Sequence, residues 1–305
     1  NAILTGLLTA AGNSRTPFIV NVAGLAFNVV LDPVLIFGIG PFPELGVSGA
    51  AAATVTAQAL VSLLFFKAVL REKVLFPHLR LWVLVPVKVW REIVRIGVPS
   101  AVQNLIYAGI SMILTRLITG WGDLAVAAQR VGSQIESVSW MVGDGFSAAV
   151  NAFLGQNYGA KRYDRVRRGY FCAIAMTAAW GLCTTFLLIG MARPLFSIFL
   201  QEEEVMAIGV NYLRIVGLSQ MFMMVEQTSI GAFSGLGRTL YPSIVSVTFT
   251  SARIPVAVLL SSVMGLSGIW WALSISSMVK GCILFVSFVV FLYVFLERKK
   301  IEKTV

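Results

Sequence analysis

Residues 242–296 read PSIVSVTFTSARIPVAVLLSSVMGLSGIWWALSISSMVKGCILFVSFVVFLYVFL, and only Arg253 and Lys280 in this stretch are charged. A helix that crosses a bilayer needs about 20 mostly apolar residues. The stretch supplies two such runs, 242–264 and 268–296, joined by an uncharged turn. Outward from it, six more runs have the same character: 17–39, 47–69, 97–119, 124–153, 169–192 and 205–234. Turn signals separate them at 38–41, 120–123, 155–168 and 235–242. Asn1 to Ala11 read as the end of one further hydrophobic helix, so the chain is expected to be an N-terminally truncated piece. The fold expected is an all-α membrane protein, a helical bundle of about eight transmembrane helices plus part of another.

Composition agrees. Of 305 residues, 57% are hydrophobic and 12% charged, where a soluble domain carries roughly 25% charged residues. The mean hydropathy is +0.84. These values exclude a soluble enzyme. The net charge of +10 could suggest nucleic acid, but its distribution does not. Eighteen basic residues fall in alternate connections (Arg15, the segment 67–95, the loop 155–168, Arg238 and the tail) against Arg193 alone on the other side. That is the positive-inside pattern. It predicts a multi-pass protein of the cell (inner or plasma) membrane with basic loops and C-terminus in the cytoplasm. Aromatic interleaving for base stacking is absent, so no nucleic-acid partner is expected. Cys172, Cys183 and Cys282 sit in apolar runs at no metal-binding spacing, and His78 is the only histidine. No cofactor is expected beyond a coupling ion.

The segment 70–96 mixes Trp82 and Trp90 with Lys88, Arg91 and Arg95, and reads as an interfacial amphipathic stretch. It divides the chain into 1–85 and 86–305. The two parts share a spacing. Gly6-x5-Gly12-x4-Pro17 with Gly46-x2-Gly49 matches Gly231-x5-Gly237-x4-Pro242 with Gly265-x2-Gly268. Both loops lie on the same predicted side, which makes the repeat parallel, its axis along the membrane normal. Six spans per half would make the second lobe complete. The first lobe would keep its last two spans and the tail of a third.

The runs GNSRTPFIVNVAGLAFNVVLDPVLIFGIGPFPELGVSGAAAAT (12–54) and AAQRVGSQIESVSWMVGDGFSAAVNAFLGQNYGAKRYDRVRRG (127–169) resemble the multidrug and toxic compound extrusion (MATE) transporters, most specifically in the GQNYGA loop and the Asn-x3-Asp-Pro span. The resemblance implies twelve helices in two six-helix lobes. It also implies export of cytoplasmic organic cations in exchange for protons or Na⁺, and the protein is expected to be monomeric. On it the chain runs from the end of helix 4 to helix 12.

Ionisable side chains at mid-bilayer are costly, about 2.5–3.5 kcal/mol on insertion scales, and default to functional candidates. Asn28 and Asp32 share one helical face, and Pro33 frees a backbone carbonyl beside them. A carboxylate, an amide and a carbonyl can hold a proton or Na⁺; the bland reading of Asp32 is a hydrogen bond to a neighbouring helix. The resemblance likens this spacing to the first-lobe cation site of the DinF-like branch, and sets Thr54 where that branch has a contributing threonine. No other metal site is expected. Gln129, Glu136 and Trp140 fall near one face, and an acid beside Trp in an apolar wall can carry a proton; pairing with Arg130 or Arg116 is the structural alternative. Glu226 lies among Gln220, Gln227, Met221, Met223 and Met224, and Met-rich surfaces repack around varied ligands. Other MATE branches place acids near the positions of Met223 and Tyr107. The cation or proton candidates are therefore Asp32, Asn28, Thr54, Glu136 and Glu226. The substrate candidates are Gln129, Trp140, Tyr107, Met223 and Gln220. Arg253 is expected to pair structurally, and Lys280 to snorkel. The function expected is antiport of small organic cations. The alternative is a flippase for lipid-linked oligosaccharide or lipid, which would need Arg116, Arg130 and Arg253 to line a cationic cavity.

Overall fold

The computed structural model describes residues 1–71 and 86–296. They are almost wholly helical, with no strand among them. The chain divides into two compact units, Asn1–Val85 and Pro86–Val305.

The first unit holds α1 (Ala2–Ala10), α2 (Arg15–Phe37) and α3 (Gly46–Arg71). Small residues let the last two approach closely, the usual device where lipid offers no hydrophobic drive between helices. Gly24 faces Val61 and Ala57, and Gly49 lies on the backbone of Leu35. Leu8, Val20, Val61 and Phe65 form the core. Asn1 ties α1 to α3, donating to Gln58 Oε1 at 2.9 Å and accepting from Ser62 at 3.0 Å. Gly38, at φ 66°, ends α2 in the left-handed conformation that glycine adopts freely.

The second unit holds α4 (Val87–Thr119), α5 (Asp123–Gly159), α6 (Tyr163–Gly190), α7 (Ala192–Ser197), α8 (Glu203–Gly217), α9 (Gln220–Gly235), α10 (Leu240–Ser251), α11 (Arg253–Met264) and α12 (Leu266–Phe291), which ends in a π-turn, Leu292–Leu296. Among the described residues, six helical segments are long and apolar enough to cross a membrane, and α8 with α9 makes a seventh if the bent pair is one span. The eighth predicted span is α5. It has 37 residues, but Gln129, Arg130, Gln134, Glu136 and a run of serines make its middle too polar to stand with the others.

Two expected spans are broken. Between α8 and α9 the axis turns by 50°. Thr185 donates to the carbonyl of Gly217 at the bend, at 3.0 Å, so the peptide group released there is satisfied inside the bundle. The other break, at Ala252, precedes Arg253 and Pro255; a proline near a helix start removes a donor the helix would leave unused there. The expected interfacial stretch lies partly outside the described residues, as do His78, Trp82 and the basic tail from Arg298. Its described part, from Val87, is the first turns of α4.

The two repeat loops have the same local geometry. Gly12 and Gly237 both have positive φ, 91° and 69°. Asn13 N–H donates to Leu8 and Arg238 N–H to Phe233, each at 2.9 Å. Gly46 and Gly265 also share positive φ. Three residues on, Gly49 packs on the Leu35 backbone and Gly268 on that of Leu260.

In the second unit α9 lies against α5, α6 and α12. A Cβ on Gly231 would overlap the Ser147 carbonyl, one on Gly281 the Phe222 carbonyl, and one on Gly181 the Met221 backbone. Backbone cannot move aside as a side-chain tip can. Gly231→Leu is therefore expected to destabilise the protein by about 1–3 kcal/mol or more, read as a lower melting temperature in detergent, whereas Gly145→Leu, with open space at its Cβ, should melt like the parent.

Candidate functional site

In the first unit, Asn28 and Asp32 meet as the spacing predicts. Asn28 Nδ2 donates to Asp32 Oδ1 at 3.2 Å, and both are half-buried. Pro33 stays inside α2 and has no N–H for the carbonyl of Val29. Thr54 is exposed on α3, and its hydroxyl donates to Ala50 of the same helix at 2.9 Å. It shares no hydrogen bond with Asp32 among the described residues. Nor do these hold any group of three or more His, Cys, Asp and Glu able to ligate a metal. A single carboxylate with one amide can neutralise one positive charge.

The second unit has a polar layer between two apolar clusters. One cluster gathers Phe196, Tyr212, Leu213 and Trp270, the other Tyr170, Phe233, Leu284 and Phe288. On α5 the sequence passes from Ala125 and Ala128 in the first cluster to Val150 and Leu154 in the second, and Glu136, Ser137, Ser139 and Asp144 fall between. On α12, Ser274, Ser276, Ser277 and Lys280 fall between Ala272 and Leu284. Burying such groups is tolerable only when they are bonded, and most of them are.

Glu136 is half-buried and accepts two hydrogen bonds, from Tyr212 Oη and from Gln220 Nε2, each at 3.0 Å. The bend between α8 and α9 sets Gln220 there: it is fully buried, and the same Nε2 lies 3.4 Å from the Val216 carbonyl. Gln220 Oε1 is buried without a hydrogen-bond partner. Tyr212 packs edge-on against Trp270, centroids 4.9 Å apart. Arg253 is buried, donating from Nε to Ser276 Oγ at 2.5 Å and from Nη2 to Ser277 Oγ at 3.0 Å. Its charge acts on Glu136, Tyr212 and Lys280. Lys280 Nζ donates to Glu226 Oε1 at 2.7 Å, with side chains only 6% and 8% exposed. Apart from Asp144, which is exposed, two acids, Glu136 and Glu226, thus share the layer with two bases, Arg253 and Lys280.

Several expectations change in detail. Arg116 and Arg130 are exposed, and Glu136 takes its bonds from Tyr212 and Gln220. Lys280 does not snorkel; a buried carboxylate within reach of its ammonium is a better partner than a distant headgroup. Gln220, expected as a substrate contact, supports Glu136. Gln129 and Met223 are half-buried, and Trp140 and Tyr107 exposed. Met224 is fully buried against Gly143 and Gly181 and is packing. Asp144 is exposed and accepts from Gln227 at 2.8 Å. Sequence reading missed Tyr212 and the serines of Arg253. Tyr212 gives no signal of its own, but Ser276, Ser277 and Lys280 fall within one helical turn opposite the only other charge of the quoted stretch.

Tyr212→Phe keeps the ring against Trp270 and removes one donor from Glu136. It is expected to cost about 1–2 kcal/mol, read as a modest drop in melting temperature; a melt identical to the parent would mean that Tyr212 does not hold the carboxyl.

Residues 99–259 match the family model described as MatE. The chain is 31% identical over 283 residues to the "Probable multidrug resistance protein NorM" of Thermotoga maritima, covering 88% of this chain and 58% of that one. It is 26% identical over 280 residues to the "FAD transporter" of Shewanella oneidensis, covering 90% and 61%. The chain thus spans about three fifths of the length of these curated relatives. In fold it is similar to a solved structure described as "Crystal structure of MATE P26A mutant", with a TM-score of 0.88 at 21% identity, covering 97% of this chain and 66% of the other.

Proposed function

The chain belongs to the MatE family of membrane transporters, and from that premise we propose that it serves secondary active efflux of small organic cations, drugs among them, in exchange for protons or Na⁺. It is a multi-pass membrane protein. The observation that carries the exchange reading is the half-buried Asn28–Asp32 pair beside Pro33 on an otherwise apolar span. A carboxylate in such a position changes its interactions when it takes up an ion, and an ion can drive transport only through differential affinity for two states. On this reading Asp32 and Asn28 on α2, with Thr54 on α3, take the coupling ion. Glu136 is a second ionisable group, and Glu226 answers to Lys280. Gln129, Trp140, Tyr107 and Met223 are the residues proposed to meet substrate, and access alternates between two repeat-related lobes, 1–85 and 86–305. The basic connections face the cytoplasm on the positive-inside argument, and the protein works as a monomer.

The relatives named for multidrug resistance support this substrate class, and the flippase reading is not favoured. Arg116 and Arg130 are exposed, while Arg253 is committed to two serines; they do not gather as a pyrophosphate site would require. The test is uptake of a fluorescent organic cation, ethidium, by everted vesicles carrying the full-length protein, under an imposed proton or Na⁺ gradient. Gradient-driven uptake that stops when an ionophore collapses the gradient is expected. Movement of FAD or of lipid-linked sugar, with no ethidium flux under either gradient, would replace this reading.

A further inference from the structure

The Glu226–Lys280 pair has the form of an occupied cation site whose cation is part of the chain. We propose that Lys280 fills, with its own ammonium, a compact monovalent-cation site built around the Glu226 carboxylate, so that the site accepts a free cation only when that ammonium is removed.

Three observations carry this. The ammonium and carboxylate lie 2.7 Å apart and are almost wholly buried, so neither has bulk water to balance its charge. The approach of their helices is built in beside them. Gly281, the residue after Lys280, sits against the Phe222 backbone, one turn before Glu226, where any side chain would push α12 off α9. Finally, the neighbouring cation is spoken for: Arg253 bonds Ser276 and Ser277, and its charge acts on Lys280 as like on like. An ammonium that feels the charge of a guanidinium stays buried because Glu226 faces it. Remove the ammonium, and Glu226 is a buried carboxylate in need of one positive charge, in a space three methylenes long.

The consequence, that an exchanged ion uses the first unit and not Glu226, rests on the antiport reading. The site itself does not, and it is tested by binding rather than transport. Lys280→Ala leaves a void shaped for n-propylammonium, the portion of the side chain deleted. Melting temperatures of the purified full-length protein are compared in n-propylammonium chloride and in choline chloride at equal ionic strength. The Lys280→Ala variant is expected to gain about 2 °C in the amine near tenfold saturation, while the parent and the Lys280→Ala/Glu226→Gln double variant gain nothing. No gain in Lys280→Ala, or an equal gain in the double variant, overturns the proposal. If Lys280→Ala fails to survive purification in plain buffer, it is prepared in the amine throughout. Recovery of monodisperse protein then supports the site, and failure to recover while the double variant purifies normally overturns it. Neither result depends on whether ethidium is transported.

Discussion

Asp32→Asn is expected to reduce gradient-driven ethidium uptake to the level of vesicles without the protein, at unchanged expression and melting temperature. The substitution is close to isosteric. Asn28 Nδ2 donates to Asp32 Oδ1, and an asparagine carbonyl at that position can accept the same bond, so the helix face keeps its hydrogen bonding. What disappears is the capacity to carry a charge and to lose it on taking up a proton or Na⁺. An ion that no longer distinguishes two conformations cannot shift their populations, however steep its gradient. Asn28→Ala tests the supporting half. It removes the amide that bonds Asp32 Oδ1 and should weaken coupling without abolishing it. Undiminished uptake by Asp32→Asn, measured beside an equally expressed parent, would take Asp32 out of the mechanism.

The largest stability effect is expected at Glu226. Glu226→Gln leaves the Lys280 ammonium buried without its counter-charge and still repelled by Arg253. Breaking one side of a buried pair costs about 3–5 kcal/mol, which for a chain of this size lowers the melting temperature by about 5–8 °C. Removing both charges should cost far less, because the desolvation of two ions disappears with their attraction. Glu226→Gln with Lys280→Met is therefore expected to melt much nearer the parent than either single variant. The Arg193–Glu203 bridge is a control of the same length, 2.7 Å, with side chains 66% and 73% exposed. Arg193→Ala should change stability by less than about 1 kcal/mol. Equal effects at the two bridges would mean that burial does not set the strength of the inner one.

The helices were legible because lipid imposes a length and a composition that leave few alternatives. The expected runs 17–39 and 47–69 correspond to α2 and α3 within two residues at each end. The breaks were less legible. Hydropathy does not register a bend, and the one after Gly217 has no proline to announce it; its stabilising contact, Thr185, comes from another helix. The start of α4 also lies ten residues before the expected 97, because Lys88, Arg91, Glu92 and Arg95 lower the apolar content without opposing helix formation. At the site, Asn28 and Asp32 could be paired from spacing because both lie on one helix. The partners of Glu136 and Glu226 could not, since they depend on which faces of α5, α8, α9 and α12 meet. The opposite signs of Glu226 and Lys280, with glycine after the lysine, were the available hint.

The polarity of α5 bears on how the protein is made. A translocon judges a nascent segment largely by its own transfer free energy, and arginine and aspartate near the centre of a segment weigh heavily against partition into lipid. Arg130, Glu136 and Asp144 lie along α5, so this helix is poorly equipped to enter the membrane by itself. Glu136 and Asp144 accept their hydrogen bonds from α8 and α9, which are synthesised later. Biogenesis should therefore hold α5 at the protein-conducting channel, or at its lipid-facing gate, until the chain has been extended beyond Gly235. Ribosome-stalled products ending shortly after α6 should leave α5 extractable or accessible to aqueous reagents, and products ending beyond α9 should not.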